Sequence, residues 1–341
     1  MQKDLSQRTH AIQVGPEHGL ICGFELGPDG TSKVIGIDDV ATSMAIRDRV
    51  VWLHFNASNA GARRWLAQQG FVPTAYVQLI EQHESRVQLA AIQEGLVGVV
   101  SDLAFGEAVD PSEIVTVWVY ASARLLVTAR NHAAQTADRL RQTARVHLAA
   151  TSGQALLAHL LGVQVDMLRD WLAGATHELD HAEDQILIGN VTRQREALGR
   201  TRRLAMHLRR HFAPPRAALH RLLSQPADRR GDIDTDTWRT LQEDFAFTAD
   251  EASNVYERAK LLQEELASRL TEATSRNLFV LTVATIVFLP MTLLSGIFGM
   301  NVQGVPGVGD QASPAAFWWV MLLIALAGAV TYLLIRVRRL L

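Results

Sequence analysis

Two sets of residues have types and spacing that could do chemistry. The first is His177-Glu178-Leu179-Asp180-His181. On a helix, H-E-x-x-H puts two imidazoles one turn apart with a carboxylate beside them, the arrangement that holds zinc in metallopeptidases. A peptidase also needs a third ligand. The extended motif asks for glycine at position 184 and histidine at 187, where this chain has Asp184 and Leu187. Three readings stand. One is a membrane-anchored zinc hydrolase. Another is a cytoplasmic metal site built from His177, His181 and Asp184, which would sense or store an ion. The third is a solvated acidic face (Glu178, Asp180, Glu183, Asp184) that happens to carry two histidines. A second pair, His207 and His211, lies beside arginines that repel a cation.

The second set is a line of hydroxyls. Taken at 3.5-residue steps, positions 264 to 296 read Glu264, Ser268, Thr271, Ser275, Leu278, Thr282, Thr285, Leu289, Thr292 and Gly296. Eight of these ten are small or polar. The companion line from 259 to 287 (Ala, Gln, Leu, Leu, Ala, Asn, Val, Ala, Val) reads mostly as a packing face. A lone helix in lipid has no reason to align hydroxyls, so the line suggests helices around a polar, water-bearing axis. The bland alternative is that each Ser or Thr bonds back to a carbonyl of its own helix. Leu278 and Leu289 interrupt the line and would form apolar constrictions, where dewetting can close a pore.

The elements that carry these residues follow from charge. The chain has 341 residues, 33 basic and 35 acidic. Yet the 59 residues from 277 to 335 hold one charged side chain, Asp310. Segments 278–300 and 315–335 are uncharged and long enough to cross a bilayer core, which takes about 20 apolar residues. Buried core helices are the weaker reading, because uncharged runs of this length mark membranes. The Gly- and Pro-rich spacer 301–314 permits only a tight hairpin. Arg269 and Arg276 precede the first run; Arg336, Arg338 and Arg339 follow the second; the spacer has no Lys or Arg. The positive-inside rule then places both termini in the cytoplasm and the spacer outside. Phe317, Trp318 and Trp319 suit an interfacial belt. A single hairpin cannot enclose a pore, so an axis implies a cyclic homo-oligomer.

The remainder predicts mixed α/β structure over 1–131, with strands near 19–26, 50–56, 95–101, 115–120 and 125–129. The last two should pair across a turn near Ser122. Helices are expected at 60–69 and 74–82. Trp52, Trp65, Trp118 and His54 are assigned to this core without a function. A helical bundle over 132–233 follows, with helices near 132–149, 153–188 and 192–225, the last bent at Pro214-Pro215, and a loop at 227–233. From Thr235 nothing interrupts the helical pattern until Pro290. A helix capped by Asp234 or Asp236 and running to Phe298 would be 64 residues long, roughly 95 Å at 1.5 Å per residue. It would serve as a stalk over 234–277 and continue as the first span. A basic tail, 336–341, closes the chain.

The near-zero net charge and lack of a basic patch argue against nucleic acid. One cysteine, Cys22, excludes a disulfide framework and a Cys-based zinc finger. No secretory signal peptide is expected, since 1–9 lacks an apolar core. Nothing matches a nucleophile elbow, a P-loop or a dinucleotide fingerprint.

Gly299-Met300-Asn301, at the end of the first apolar run after Phe-Leu-Pro-Met-Thr (288–292), resembles the Gly-Met-Asn signature of the CorA superfamily of divalent-cation transporters. The short outer loop and basic tail match too. The resemblance is specific over about 255–341, and domain order extends it to the whole chain. It implies a homopentamer, not an enzyme, with a funnel-shaped α+β cytoplasmic domain whose stalk helix becomes the pore-lining span. By position, Asn301 would form a ring at the pore mouth that meets the hydrated ion. Thr292 and Leu289 would line the pore below it, and Leu281 or Leu278 would be the hydrophobic gate. A ring of amide oxygens suits Mg²⁺, which sheds water reluctantly.

The outer loop, Val302-Gln303-Gly304-Val305-Pro306-Gly307, and the segment 261–270 look like the zinc-transporting ZntB branch, with Gln303 replacing one glycine of its loop. Asp310 is the only anion the loop offers. The resemblance therefore implies Zn²⁺ as the transported ion, taken up with protons across a bacterial inner membrane. Mg²⁺, Co²⁺, Ni²⁺ and Cd²⁺ are the alternatives. No resident cofactor is expected, and the partners are further copies of the chain, the bilayer and the ions.

Overall fold

A computed structural model describes residues 18–93, 95–103, 114–188, 194–230, 233–300 and 314–338. It divides into two compact units, Met1–Gln263 and Glu264–Leu341.

The first unit is built on a seven-stranded sheet, β1 (Leu20–Leu26), β2 (Ser32–Val34), β3 (Val50–Asn56), β4 (Gln88–Ile92), β5 (Gly95–Leu103), β6 (Ile114–Ala121) and β7 (Leu125–Arg130), in the order β2-β1-β3-β7-β6-β5-β4. All neighbours are antiparallel except β3 and β7, which run parallel with Trp52 opposite Leu126 and His54 opposite Thr128. β6 and β7 pair across the Ser122 turn, as their β-rich runs predict, and the Ser122 N–H donates to the Leu125 carbonyl at 2.8 Å. Gly95 opens β5 at φ 148°, with the Ala121 carbonyl so close that a Cβ there would collide with it.

Helices α1 (Val40–Ala45), α2 (Ala60–Gln68) and α3 (Thr74–Glu81) lie toward one face of the sheet. There Val51, Leu53, Phe55 and Val99 pack with Leu66, Tyr76 and Ile80. α2 starts where Asn59 accepts the N–H groups of Gly61 and Ala62 at 2.7 and 3.3 Å, the usual N-cap device. The opposite face, carrying Cys22, Trp52, His54 and Thr128, meets α4 (Gln135–Val146) and α5 (Gly153–Leu187). The expected helices and their observed bounds agree within a few residues. β2, β4 and α1 were not expected: β2 and α1 are short, and β4 is bounded by no strong turn signal.

α4 has alanine at its N-cap, with no capping side chain. A carboxylate from the sheet does that work. Buried Asp102 accepts the Thr136 N–H at 3.1 Å, the Ala137 N–H at 3.3 Å and the Thr136 hydroxyl at 2.6 Å. Four orphan N–H groups at a buried helix start demand such an acceptor.

The rest of this unit packs α5, α6 (Gln194–Leu223) and the start of α8 (Thr235–Phe298). α6 runs as one helix through Pro214 and Pro215. The loop expected at 227–233 contains a helical turn, α7 (Ala227–Arg230), which corrects that expectation: Pro226, which has no N–H to lose at a helix start, precedes it and the Arg230 N–H returns to its carbonyl at 3.1 Å. α8 is the 64-residue helix the sequence predicts. Asp234 caps it: its carboxylate accepts the Thr237 hydroxyl at 2.6 Å and the Asp236 N–H at 3.2 Å, and the Thr237 bond holds its pKa below the usual carboxylate range.

The second unit holds the rest of α8 and α9 (Pro314–Arg338). Both helices are long and apolar enough to cross a membrane.

Candidate functional site

The hydroxyl line survives as a physical stripe. At 3.6 residues per turn its ten positions fall within about 80° of one direction on α8. From Glu264 to Gly296 every one of them is exposed in the single chain, with Leu278 at 58% and Leu289 at 68%. Of the partly buried residues from 278 to 298, Ala284, Val287, Met291, Leu294 and Phe298 lie roughly opposite, about 120–200° from the direction of Glu264, and Val283 and Pro290 lie at the flank, about 80–100° away. Met291 lies against Gly328 of α9, where a side chain larger than hydrogen would collide with its Cε. So the hydroxyl face is the one that the second apolar helix of the same chain leaves open.

The hydroxyls do bond back along the helix. Thr271, Thr282, Thr285 and Thr292 donate to the carbonyls of Ala267, Leu278, Leu281 and Phe288 at 2.8–2.9 Å. This satisfies each proton and leaves the oxygen lone pairs turned outward. The stripe can therefore accept hydrogen bonds from water around a cation, without any charged group in the apolar stretch. Leu281, exposed beside Thr282 and Leu278, belongs to the same face. Ser268 and Ser275 extend it toward Glu264.

The companion line does not hold as one packing face. Ala259 and Leu266 are buried, but Val280 is 62% exposed. A 3.5-residue line drifts around a straight helix, and this one also crosses the boundary between the two units.

Gly299 and Met300 end the helix, with the Gly299 N–H on the Ser295 carbonyl at 3.0 Å. Asn301, Gln303 and Asp310 lie outside the described residues. Phe317, Trp318 and Trp319 are all exposed, the first two edge to face at 5.5 Å.

The H-E-x-x-H segment lies on α5. His177, His181 and Asp184 are exposed, and among the described residues no three His, Cys, Asp or Glu side chains come together to hold a metal ion. Its acidic neighbours are used inside the bundle. Glu178 accepts the Thr201 hydroxyl at 2.9 Å. Arg258 of α8 bridges Asp180, at 2.7 Å, and Glu183. Those two contacts hold the guanidinium deeper in its charged range. The face expected to be merely solvated is thus partly an inter-helix clamp.

In the sheet, Trp52 Nε1 donates to the Thr128 hydroxyl at 3.0 Å, and His54 Nδ1 lies 2.7 Å from the same oxygen. Burial, with Arg130 and Arg141 nearby, pushes the His54 imidazole down to about 3. These groups are core, and Trp65 packs at its edge. The contact that sequence reading missed is Gly328 on Met291. Its signal was the small-residue run Ala325, Ala327, Gly328, Ala329 in an apolar segment, which allows close helix approach.

Comparison with known proteins fits this geometry. The family model for CorA-like Mg2+ transporter proteins matches residues 47–337. The divalent cation transporter CmaX of Pseudomonas aeruginosa is 28% identical over 327 residues, covering 94% of this chain and 96% of CmaX. The zinc transport protein ZntB of Yersinia enterocolitica is 23% identical over 319 residues, covering 94% and 95%. The structure of full-length CmaX superimposes with a TM-score of 0.78 at 24% identity, covering 95% of this chain and 99% of that one. The CorA magnesium transporter from Methanocaldococcus jannaschii gives 0.71 at 17% identity, with 92% and 97% covered. The family match takes in five of the seven strands, β3 to β7, with the long helix and both apolar helices, and the chain therefore belongs to the CorA-like Mg2+ transporter family: it is a membrane transporter of divalent cations, not an enzyme.

Proposed function

We propose that five copies of this chain surround a pore lined by the hydroxyl face of α8, and that the pore carries Zn²⁺ into the cytoplasm with protons. The observation that carries the assembly is the opposition of the two faces of α8. One is covered by α9, and the other, lined with Thr282, Thr285 and Thr292, is open. In a bilayer that open face needs water, and further copies of the same face supply a wet axis. Five is the number the family resemblance implies.

In this reading the ion keeps its water. Residues 264–341 contain no His or Cys, the donors that would strip and hold zinc. Asn301 receives the hydrated ion at the mouth, Thr292 and Leu289 line the path beneath, and Leu281 or Leu278 forms the apolar gate. Gln303 and Asp310 sit in the outer loop. Both termini are cytoplasmic and the membrane is the bacterial inner membrane. The preference for zinc rests on the loop 302–307 and on relatives that include zinc transport proteins. A Mg²⁺/Co²⁺ channel of the same architecture is the second reading, favoured by the description of the matching family.

Flux into liposomes loaded with a metal-sensitive dye tests both. Zinc entry that rises with an imposed pH gradient and exceeds Mg²⁺ entry is the expected result. Equal Mg²⁺ flux with no pH effect removes the zinc reading. Asn301→Ala should abolish flux of either ion, whereas Glu178→Gln should leave it unchanged.

A further inference from the structure

α6 is unusually basic. It carries eight arginines against one acidic residue, Glu196. Several are engaged: Arg200 with Glu196, Arg216 with Asp250, and Arg202 and Arg209 against the Tyr256 ring. Among the described residues Arg210 and Arg221 have no such partner. They flank one helical stripe, 210, 214, 217 and 221, whose middle positions are the short side chains Pro214 and Ala217. Two long cationic arms thus bracket a shallow stretch of helix, with Cα atoms about 16 Å apart by helix rise.

That stretch forms one wall of a cavity of about 440 Å³ in the first unit. Arg86, on the segment before β4, forms another wall. The floor is the sheet, where Ser101 of β5 pairs with Thr116 of β6. Ser101 is 7% exposed, and its hydroxyl has no hydrogen-bond partner among the described residues although its carbonyl takes the Gln164 amide. A buried hydroxyl without a partner asks for one. His211 completes the lining. No carboxylate is paired with Arg86, Arg210 or Arg221 among the described residues. The nearby Glu84 carboxylate accepts the Arg86 backbone N–H at 2.8 Å.

Three guanidinium groups without carboxylate partners around a buried hydroxyl match the chemistry of a phosphoryl group. Arginine forks bind phosphate oxygens in pairs, and a neutral hydroxyl donates to a third. The volume falls in the range of small-molecule sites. We propose that this cleft binds the phosphoryl group of a small cytoplasmic anion, either free phosphate or the phosphate chain of a nucleotide. Nothing in this proposal depends on which metal ion is transported.

Isothermal titration of the purified full chain in detergent, in chloride buffer without divalent metal, tests it with inorganic phosphate and with ATP as separate probes. The expected result is saturable binding of at least one probe, with a Kd on the order of 0.1 mM. ATP tighter than phosphate by about tenfold identifies a nucleotide; equal affinity identifies phosphate itself. Arg210→Gln with Arg221→Gln should weaken binding by about a hundredfold, two charge-assisted contacts at about tenfold each. Arg86→Gln, at an exposed position, should weaken it by about tenfold. Arg216→Gln, outside the cleft, should leave it unchanged. Absence of binding by both probes at about 10 mM overturns the proposal. So does binding that survives both the double variant and Arg86→Gln.

Discussion

α8 is one helix with two kinds of surface, and the contrast between its halves explains the molecule. From Trp238 to Leu266 it is conventional. Trp238, Leu241, Phe245, Ala252, Ala259 and Leu266 are buried at helical spacing, and Arg258 is clamped by carboxylates of α5. From Leu278 to Phe298 the residues are more apolar, yet none is buried. In water this second half would be unstable, because hydrophobic burial is what holds a helix in place. Lipid must therefore supply what the chain itself does not, joined in the assembly proposed above by further copies of the chain. The same backbone geometry serves a folded core in one half and an exposed apolar surface in the other.

Truncating an aromatic in each half is the strongest way to break that comparison. Phe245 is fully buried and Phe288 is 63% exposed. Phe245→Ala should cost about 4 kcal/mol, whereas Phe288→Ala should leave the first unit's stability within about 0.5 kcal/mol. The readout is already in the chain. Cys22 is the sole cysteine, it is buried in β1, and burial pushes its thiol up to about 12. Pulsed thiol labelling thus reports opening of the first unit alone. Equal labelling of the two variants would remove the distinction between the halves.

Asp102→Ala comes next. It strips a buried helix start of the acceptor that the sheet supplies to the Thr136 and Ala137 N–H groups. The expected loss is about 3 kcal/mol in the same assay, with Asp102→Asn milder because its carbonyl can still accept.

How much of this was legible in the sequence follows from the reach of the interactions. α8 was readable because its signals are local: a capping Asp234 or Asp236 and helix formers unbroken until Pro290. The hydroxyl stripe was readable because helical periodicity maps spacing onto direction. Asp102 was not, since it lies 34 residues before the helix it caps, and no local pattern marks such a pair. The Arg258 clamp is equally non-local, joining residues 75 positions apart. β2, with three residues, and α7, with four, are too short for any periodicity to show.

Gly328→Leu probes the second unit. The new side chain meets the Met291 Cε, the movable end of a flexible side chain, so Met291 must swing away or α9 must move off α8. A cost of about 2 kcal/mol to hairpin packing is expected, seen as lower thermal stability of the oligomer in detergent with no change in Cys22 labelling. A change in labelling would mean that the two units do not fold independently.

His54 sharpens the comparison from the soluble side. Its imidazole titrates near 3 when folded, against an ordinary 6.5. Between those values the unfolded chain binds a proton that the folded chain refuses. This contribution is intact above about pH 6.5 and is lost as pH falls toward 3, at up to about 1.4 kcal/mol per pH unit. His54→Gln should flatten that slope in Cys22 labelling. An unchanged slope would assign the acid sensitivity to other groups.

The smallest structural effect, and the most telling, belongs to the stripe. Thr282→Val with Thr285→Val keeps shape and raises hydropathy, so membrane insertion and the first unit's stability should not change. Each hydroxyl donates to a carbonyl of its own helix, so the substitution removes that back-bond, which the backbone ladder tolerates, together with the lone pairs facing away from α9. If those oxygens bind water around the ion, loss of two rings of them should lower flux by about tenfold, the worth of one net hydrogen bond. If they merely satisfy their own backbone, flux stays at the level of the unsubstituted chain and the stripe is only a pattern.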